Sequence, residues 1–168
     1  MAERRGALLL VMLTLAGVAA RAAPAAPSGS ELAQQISDGV FPVVGATILL
    51  HLASDAAARQ ETGRRLAEAA VLSTAATLVL KEVVPSARPA PYTSESDGFP
   101  SGHTAVAFAL ATALSKRESG AGWVAYPLAA ATAWSRAATR RHDWGQILTG
   151  AALGVAVGHL AAEGKLRL

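Results

Sequence analysis

The chain contains no cysteine, which removes disulfide frameworks, thiolate metal sites and cysteine nucleophiles while leaving its compartment open. It is also poor in charge: Asp, Glu, Lys and Arg make up 16% of its 168 residues, against about 25% in ordinary soluble domains. A water-facing surface is hard to cover with so few. No cluster of carboxylates suggests magnesium, so neither a metal nor a cofactor is expected. The net charge is only +3, and the basic residues fall in small scattered groups rather than along a stripe, which argues against a nucleic-acid partner. Apolar residues, at 52%, are what the sequence has in abundance, and its length suits one domain.

The N-terminus has the layout of a secretory signal. Arg4 and Arg5 precede an apolar run from Ala7 to Ala20, and the small-x-small sequence Ala20-Arg21-Ala22 is followed by a proline-rich stretch from Pro24 to Pro27. Residues 1–23 are therefore read as a signal peptide, the alternative being an uncleaved first membrane helix. Residues 24–38 form an exported linker with a short amphipathic helix from Glu31 to Asp38, and residues 39–168 form the main domain.

Beyond Ser28 the pattern is Ala-rich and helical, with no alternating run bounded by turn residues to mark a strand. The expected fold is all-α, a polytopic bundle of five helices over Gly39 to Ser54, Leu66 to Val84, Gly102 to Lys116, Gly122 to Ala138 and Trp144 to Ala162. Each apolar stretch falls short of the ~20 residues that a bilayer crossing requires, so a soluble helical core competes on length alone. Loop charge favours the membrane. Export of the N-terminus puts Arg59, Arg64, Arg65, Lys116, Arg117, Lys165 and Arg167 on the inner side, and residues 23–38 outside carry no Lys or Arg. The exceptions are Lys81, Arg88, Arg136, Arg140 and Arg141, which all gather at the outer face, where they call for an anionic ligand. In the last helix Gly150, Gly154 and Gly158 recur every four residues, as in closely packed helix pairs of either environment.

Three segments on that outer face carry chemistry: Lys81 with Arg88-Pro89 seven residues on, Pro100-Ser101-Gly102-His103, and Ser135-Arg136 with His142 six residues on. Residue types, spacing and order resemble the type 2 phosphatidic acid phosphatase family, whose site is shared with vanadium haloperoxidases. The resemblance spans residues 66–158. It implies a membrane-embedded phosphatase acting through a phosphohistidine.

The residues support that reading on physical grounds. Lys81 stands at a helix C-terminus, where a cation suits the dipole, although a snorkelling lysine would look the same. Arg88 offers a planar fork suited to phosphate oxygens; alone it could equally be a solvated loop residue. Ser101 sits at the N-cap and Gly102 permits close approach, so that first-turn N–H groups face an anion. His103 in that turn is poised to protonate a leaving oxygen, a role that a plain helix cap does not explain. His142, unprotonated, is a competent nucleophile toward a phosphorus whose charge Lys81, Arg88, Arg136 and the Ser101–Gly102 backbone neutralise. Arg140 and Arg141 match no family position and are read as interface or headgroup contacts at most.

One departure stands out. The family usually carries Asp four residues after the nucleophilic histidine, and this chain has Gln146. Its amide oxygen shares a helical face with His142 and can accept the Nδ1 proton, but it brings no negative charge, and adjacent Asp143 points elsewhere. The run His142-Asp143-Trp144-Gly145-Gln146 is similar to polyprenyl-diphosphate phosphatases of the dolichyl type. His51 and His159 are read as packing residues, and Trp123, Trp134, Trp144 and Tyr126 as an interfacial belt. Tyr92, Glu95, Asp97 and Phe99, between the first two motifs, contact substrate or merely cap a turn.

The expected function is hydrolysis of a phosphate monoester or diphosphate on a lipid, at a site facing the periplasm from a bacterial inner membrane. Alternatives are a soluble exported acid phosphatase, a vanadate haloperoxidase, and a phosphate-binding pseudoenzyme or scaffold. The expected partners are a phosphorylated lipid and the bilayer; the sequence does not specify an oligomeric state.

Overall fold

A computed structural model describes residues 28–94, 96–166 and 168 of the chain. The signal segment, Glu95 and Arg167 lie outside the described residues. Five helices appear among them: α1 Gly29–Leu52, α2 Ala57–Val83, α3 Gly102–Arg117, α4 Gly122–Ala138 and α5 Trp144–Ala162. No strand forms among the described residues, and a single isolated bridge joins Ser86 to Asp97 in the loop between α2 and α3.

Two helices differ from the sequence expectation. The amphipathic piece and the first long helix are one: α1 begins at a capping box, in which the Ser28 hydroxyl accepts from Glu31 N–H and the Glu31 carboxylate accepts from Ser28 N–H at 2.8 Å. It runs unbroken through Gly39 and Pro42. Ala33, Ser37, Val40, Val44, Thr47 and His51 alternate at spacings of four and three and are all buried, and packing along that face outweighs the ~1 kcal/mol that an interior glycine costs. The second difference is the start of α2, nine residues before the expected Leu66. Those residues read as a charged loop, yet Arg65 pairs with Glu61 at 2.6 Å and with Glu68 at 2.8 Å, the i,i+4 and i,i+3 contacts that a helix allows.

Small residues set the packing distance. A Cβ added at Gly150, Gly154 or Gly158 of α5 would collide with the carbonyl oxygens of Ser101, Ala105 and Ala109 of α3. The glycine stripe is thus the seam along which α5 lies against α3. Around it Leu66, Val106, Ala109, Leu110, Ala113 and Leu114 form the core with Ala161 and Ala162. Bringing α3 and α5 this close fixes Ser101, at the start of one, beside Gln146, at the start of the other: the Ser101 N–H donates to the Gln146 carbonyl at 3.0 Å.

The outside of the bundle is apolar as well. Leu49 on α1, Val71, Leu78, Val79 and Val83 on α2, Trp123 on α4 and Leu148 on α5 are all exposed. Among the described residues two helices, α1 with mean hydropathy 1.3 and α5 with 1.4, are long and apolar enough to cross a membrane. At 24 and 19 residues they extend about 36 and 28 Å, against a hydrocarbon core of about 30 Å. Trp123 and Trp144 are exposed at opposite ends of the bundle. Tyr126 is not part of that belt: it is half-buried, its ring lies against Phe108 and its hydroxyl donates to Thr112 at 3.1 Å.

Candidate active site

The helices alternate in direction, so the end of α2, the start of α3, the end of α4 and the start of α5 meet at one end of the bundle. Lys81, Ser101 to His103, Arg136 and His142 therefore converge there. Arg88 joins them from the loop between α2 and α3. Lys81 lies within electrostatic reach of Arg88 and Arg136, and so do both histidines within reach of the two arginines.

The loop is anchored by hydrogen bonds that centre on Gly98 and Gln146. Ser86 N–H donates to Ser96 at 2.8 Å, and Gly98 N–H donates to Ser86 at 2.7 Å. The Gln146 amide nitrogen donates to the Ala87 carbonyl at 2.9 Å and to Ser86 Oγ at 3.1 Å. Gly98 has no room for a side chain: a Cβ there would stand 2.6 Å from Gln146 Nε2 and 2.7 Å from the Ser86 carbonyl.

This packing fixes the tautomer of His142. Its Nδ1 lies 2.8 Å from the Gly98 carbonyl oxygen and 3.2 Å from Gln146 Oε1. Both oxygens are acceptors, and the Gln146 amide is oriented by the bonds its nitrogen donates, so Nδ1 carries the hydrogen and Nε2 keeps its lone pair. Burial, and then the charge of Arg136, push the imidazolium pKa down to about 4, against the opposing pull of the Gly98 and Gln146 bonds. The ring is neutral at pH 7. The expected contact from Nδ1 to Gln146 is present, and a shorter one goes to the backbone of Gly98, a partner that no side-chain pattern announces. Asp143 is committed elsewhere, as the cap of α5, accepting from Gln146 N–H at 2.8 Å.

The cations are arranged unequally. Arg88 gives a bidentate pair to Asp97, Nε to Oδ1 at 2.9 Å and Nη2 to Oδ2 at 2.8 Å. Lys81 Nζ donates to the Asp97 carbonyl oxygen. These Arg88 bonds hold the Asp97 carboxyl below its ordinary pKa. A carboxylate presents two oxygens much as a phosphate edge does, so the fork already selects an anion. Arg136 differs. It is buried, its Nη1 donates to Ser37 Oγ, and its Nε is buried without a hydrogen-bond partner. A buried guanidinium N–H without an acceptor is costly unless a ligand supplies one.

At the start of α3, Ser101 occupies the N-cap position without capping. Its hydroxyl is fully buried and pairs with Thr104 Oγ1 at 2.9 Å, so the side chain does not block the first-turn N–H groups. His103 is half-buried, with the Phe41 ring edge-on at 4.7 Å. Arg141 stacks over Tyr92 at 4.0 Å, and Arg140 is exposed in the left-handed region at φ 54°. Asp97 is a partner of Arg88 rather than a turn cap. The sequence reading missed Ser37 and Phe41 of α1, and the Gly98 carbonyl. Only the four-and-three spacing of buried residues from Ala33 to His51 marks α1 as part of the bundle. His51 is buried and donates from Nδ1 to the Thr47 carbonyl at 2.7 Å, with Nε2 3.1 Å from Glu118; His159 is exposed, 2.9 Å from Glu163.

Comparison with known proteins bears on this geometry. The family model described as PAP2 superfamily matches residues 62–165, a span that contains every motif residue and leaves out α1. No curated protein sequence matches the chain. Among solved structures, the crystal structure of Aquifex aeolicus LpxE superposes with a TM-score of 0.67 at 24% identity, covering 92% of this chain and 95% of that one. That likeness extends the shared fold over α1 as well.

Proposed function

We propose, for a chain that belongs to the PAP2 superfamily and is a phosphatase of that type, that it removes a phosphate or diphosphate from a lipid through a phosphohistidine on His142. The observation that carries this reading is the state of His142: neutral, its Nδ1 proton held by Gly98 and Gln146, its Nε2 lone pair available within reach of Arg88 and Arg136. The substrate phosphate displaces Asp97 from Arg88, takes the orphaned Nε–H of Arg136, and meets Lys81 and the first-turn N–H groups of α3.

With charge neutralised, Nε2 attacks phosphorus and the bond from phosphorus to the lipid oxygen breaks, while His103, protonated in the complex under the pull of the bound phosphate's negative charge, gives that oxygen its proton. Water then attacks the phosphohistidine. The phosphorus–nitrogen bond breaks, the ring recovers its neutral form, and His103 takes the proton from water. Cationic side chains do the work that a divalent ion does in other phosphatases, so the reaction is read as metal-independent. The absence of the usual Asp at Gln146 does not disable the site, because the Gly98 carbonyl supplies the acceptor that Nδ1 requires.

A lipid substrate is favoured by the surroundings. The apolar flanks of α1, α2 and α5 run up to the cationic end, where a phosphate headgroup can reach the site while its chains stay in the bilayer. The basic loops lie at the opposite end, so the site faces outward, into the periplasm of a bacterial inner membrane, with residues 1–23 as the export signal and residues 39–168 as the phosphatase domain. Because residues 142–146 are similar to dolichyl-type enzymes, a polyprenyl diphosphate is the first substrate to try. The test is turnover by the purified protein of polyprenyl diphosphate, phosphatidate, phosphatidylglycerol phosphate and lipid A, with acid quenching to trap labelled phosphoenzyme. Release of phosphate from at least one, with an acid-labile label lost in His142→Ala, is expected; turnover of none overturns the reading.

A further inference from the structure

We infer that α1 supplies a fourth segment of the active site, in which Ser37 and Phe41 are positioning residues for Arg136 and His103. The inference rests on the phosphatase reading and goes beyond it, since α1 lies outside both the three motifs and the residues matched by the family model. Ser37 and Phe41 are four residues apart, one turn on the same side of one helix. Ser37, 1% exposed, binds the Nη1 of Arg136, and Phe41 meets His103 edge-on at 4.7 Å. One turn of α1 thereby touches both a cation of the phosphate clamp and the candidate general acid.

The chemistry of the Ser37 contact is specific. Arginines withdrawn from water are ordinarily satisfied by carboxylates, as half-buried Arg65 is by Glu61 and Glu68 at the other end of this molecule. A carboxylate would fix Arg136 equally well, but it would cancel the charge that an incoming phosphate needs. A hydroxyl orients the guanidinium and leaves its charge intact. Asp38, the next residue of α1, is exposed, and its charge reaches Arg136 and His103 only through space. The orphaned Nε of Arg136 agrees with this division: one edge of the fork is held by α1 and the other is kept for the ligand. Phe41 has a different task. An aromatic edge against an imidazole restricts ring rotation without offering a competing acceptor, so His103 stays aimed at the leaving oxygen.

The experiment uses the full chain in detergent and reads the inhibition constant for orthovanadate together with kcat and KM. Ser37→Ala is expected to weaken vanadate and raise KM about tenfold, with a smaller change in kcat, and Ser37→Thr to restore both. Ser37→Asp separates positioning from support: it keeps a partner for Arg136 but neutralises it, so vanadate inhibition should weaken at least as much as in Ser37→Ala. Phe41→Leu should leave vanadate inhibition unchanged and lower kcat most for the poorest leaving group. Vanadate inhibition equal to wild type in folded Ser37→Ala, or in Ser37→Asp if the alanine variant does not fold, overturns the inference. If wild type is inhibited by vanadate and hydrolyses a chromogenic phosphate monoester but no lipid, the lipid reading fails while the Ser37 comparison still decides the role of α1.

Discussion

The two ends of the bundle handle charge in opposite ways. At the end away from the site, Arg65 lies between Glu61 and Glu68, His51 meets Glu118, and Glu163 gathers Lys116, His159 and Lys165. At the site end, Lys81 and Arg88 both lean on Asp97, and Arg136 is given a hydroxyl and an unsatisfied N–H. Ion pairs at the first end are nearly neutral as a group, and two of them, His51 with Glu118 and Lys116 with Glu163, join segments distant in the chain. The second end keeps positive charge in excess, which costs stability in a buried setting and makes sense where an anion completes the set. A surplus of charge, rather than the number of charged residues, is what separates a site from a structural cluster here.

The sharpest way to break the comparison is to remove one residue from each end. His142→Ala should lower kcat by about a thousandfold or more and abolish the phosphoenzyme, in line with the loss of a covalent nucleophile. Glu118→Gln, which weakens the His51 pair at the far end, should leave kcat and KM per folded molecule unchanged while lowering the melting temperature. Comparable kinetic losses in the two variants would erase the distinction between the ends.

Next in size is Gln146. Its amide bonds Ser86, Ala87 and His142 at once, so Gln146→Ala loosens the loop that carries Gly98 and should lower kcat at least about tenfold. Gln146→Asp adds a negative charge beside an imidazolium whose pKa is about 4. That charge favours the protonated ring, and the neutral ring is the nucleophile. The acidic limb of the kcat/KM profile, near pH 4 in the wild type, should therefore move upward in Gln146→Asp. A limb that stays in place would detach Gln146 from His142.

How much of this was open to the sequence depends on the kind of signal. The motifs could be read because a helix converts fixed spacing into a shared end: Lys81, Ser101 to His103, Arg136 and His142 all stand at or beside helix termini. The glycine stripe was visible but its partner was not, since periodicity says that a face packs closely and not against what. The start of α2 was hidden because Arg59 to Arg65 read as a charged loop until the pairs of Arg65 with Glu61 and Glu68 are seen. Ser37 was invisible for a different reason: it meets Arg136 across 99 residues of chain, and a lone serine inside a helix has no distinguishing pattern. Gly98 acts through its carbonyl, a group every residue possesses.

A smaller and more diagnostic effect is expected at Asp97. Its carboxylate occupies Arg88 as the substrate phosphate must, so Asp97→Asn, which keeps the shape and removes the charge, should lower the inhibition constant for phosphate and the KM severalfold. A rise in KM instead would mean that Asp97 serves chiefly to hold Arg88 in position. The direction of change thus decides whether the carboxylate competes with the substrate or supports the clamp.

The smallest effect belongs to the matching carboxylate at the far end. Glu163 follows the last turn of α5 and is bonded by Lys165 and Lys116, which pull its pKa down to about 2. A carboxyl depressed on folding contributes stability above its unfolded pKa of 4.5, and that contribution fades as pH falls toward 2. The group is open to solvent and its partners are long, flexible lysines, so screening leaves little of the attraction. Glu163→Gln should therefore shift the melting temperature slightly at pH 7 and not at all near pH 2, with kcat, KM and phosphate inhibition unchanged at every pH where the protein is folded. Asp97→Asn and Glu163→Gln each remove one negative charge from a carboxylate bound by cations, Asp97 in the arginine fork at the site and Glu163 among lysines at the far end. If both tightened phosphate alike, net charge of the whole molecule would explain the effect, and the cationic end would lose its claim to be a local anion site; a response confined to Asp97 assigns the anion selectivity to Lys81, Arg88 and Arg136.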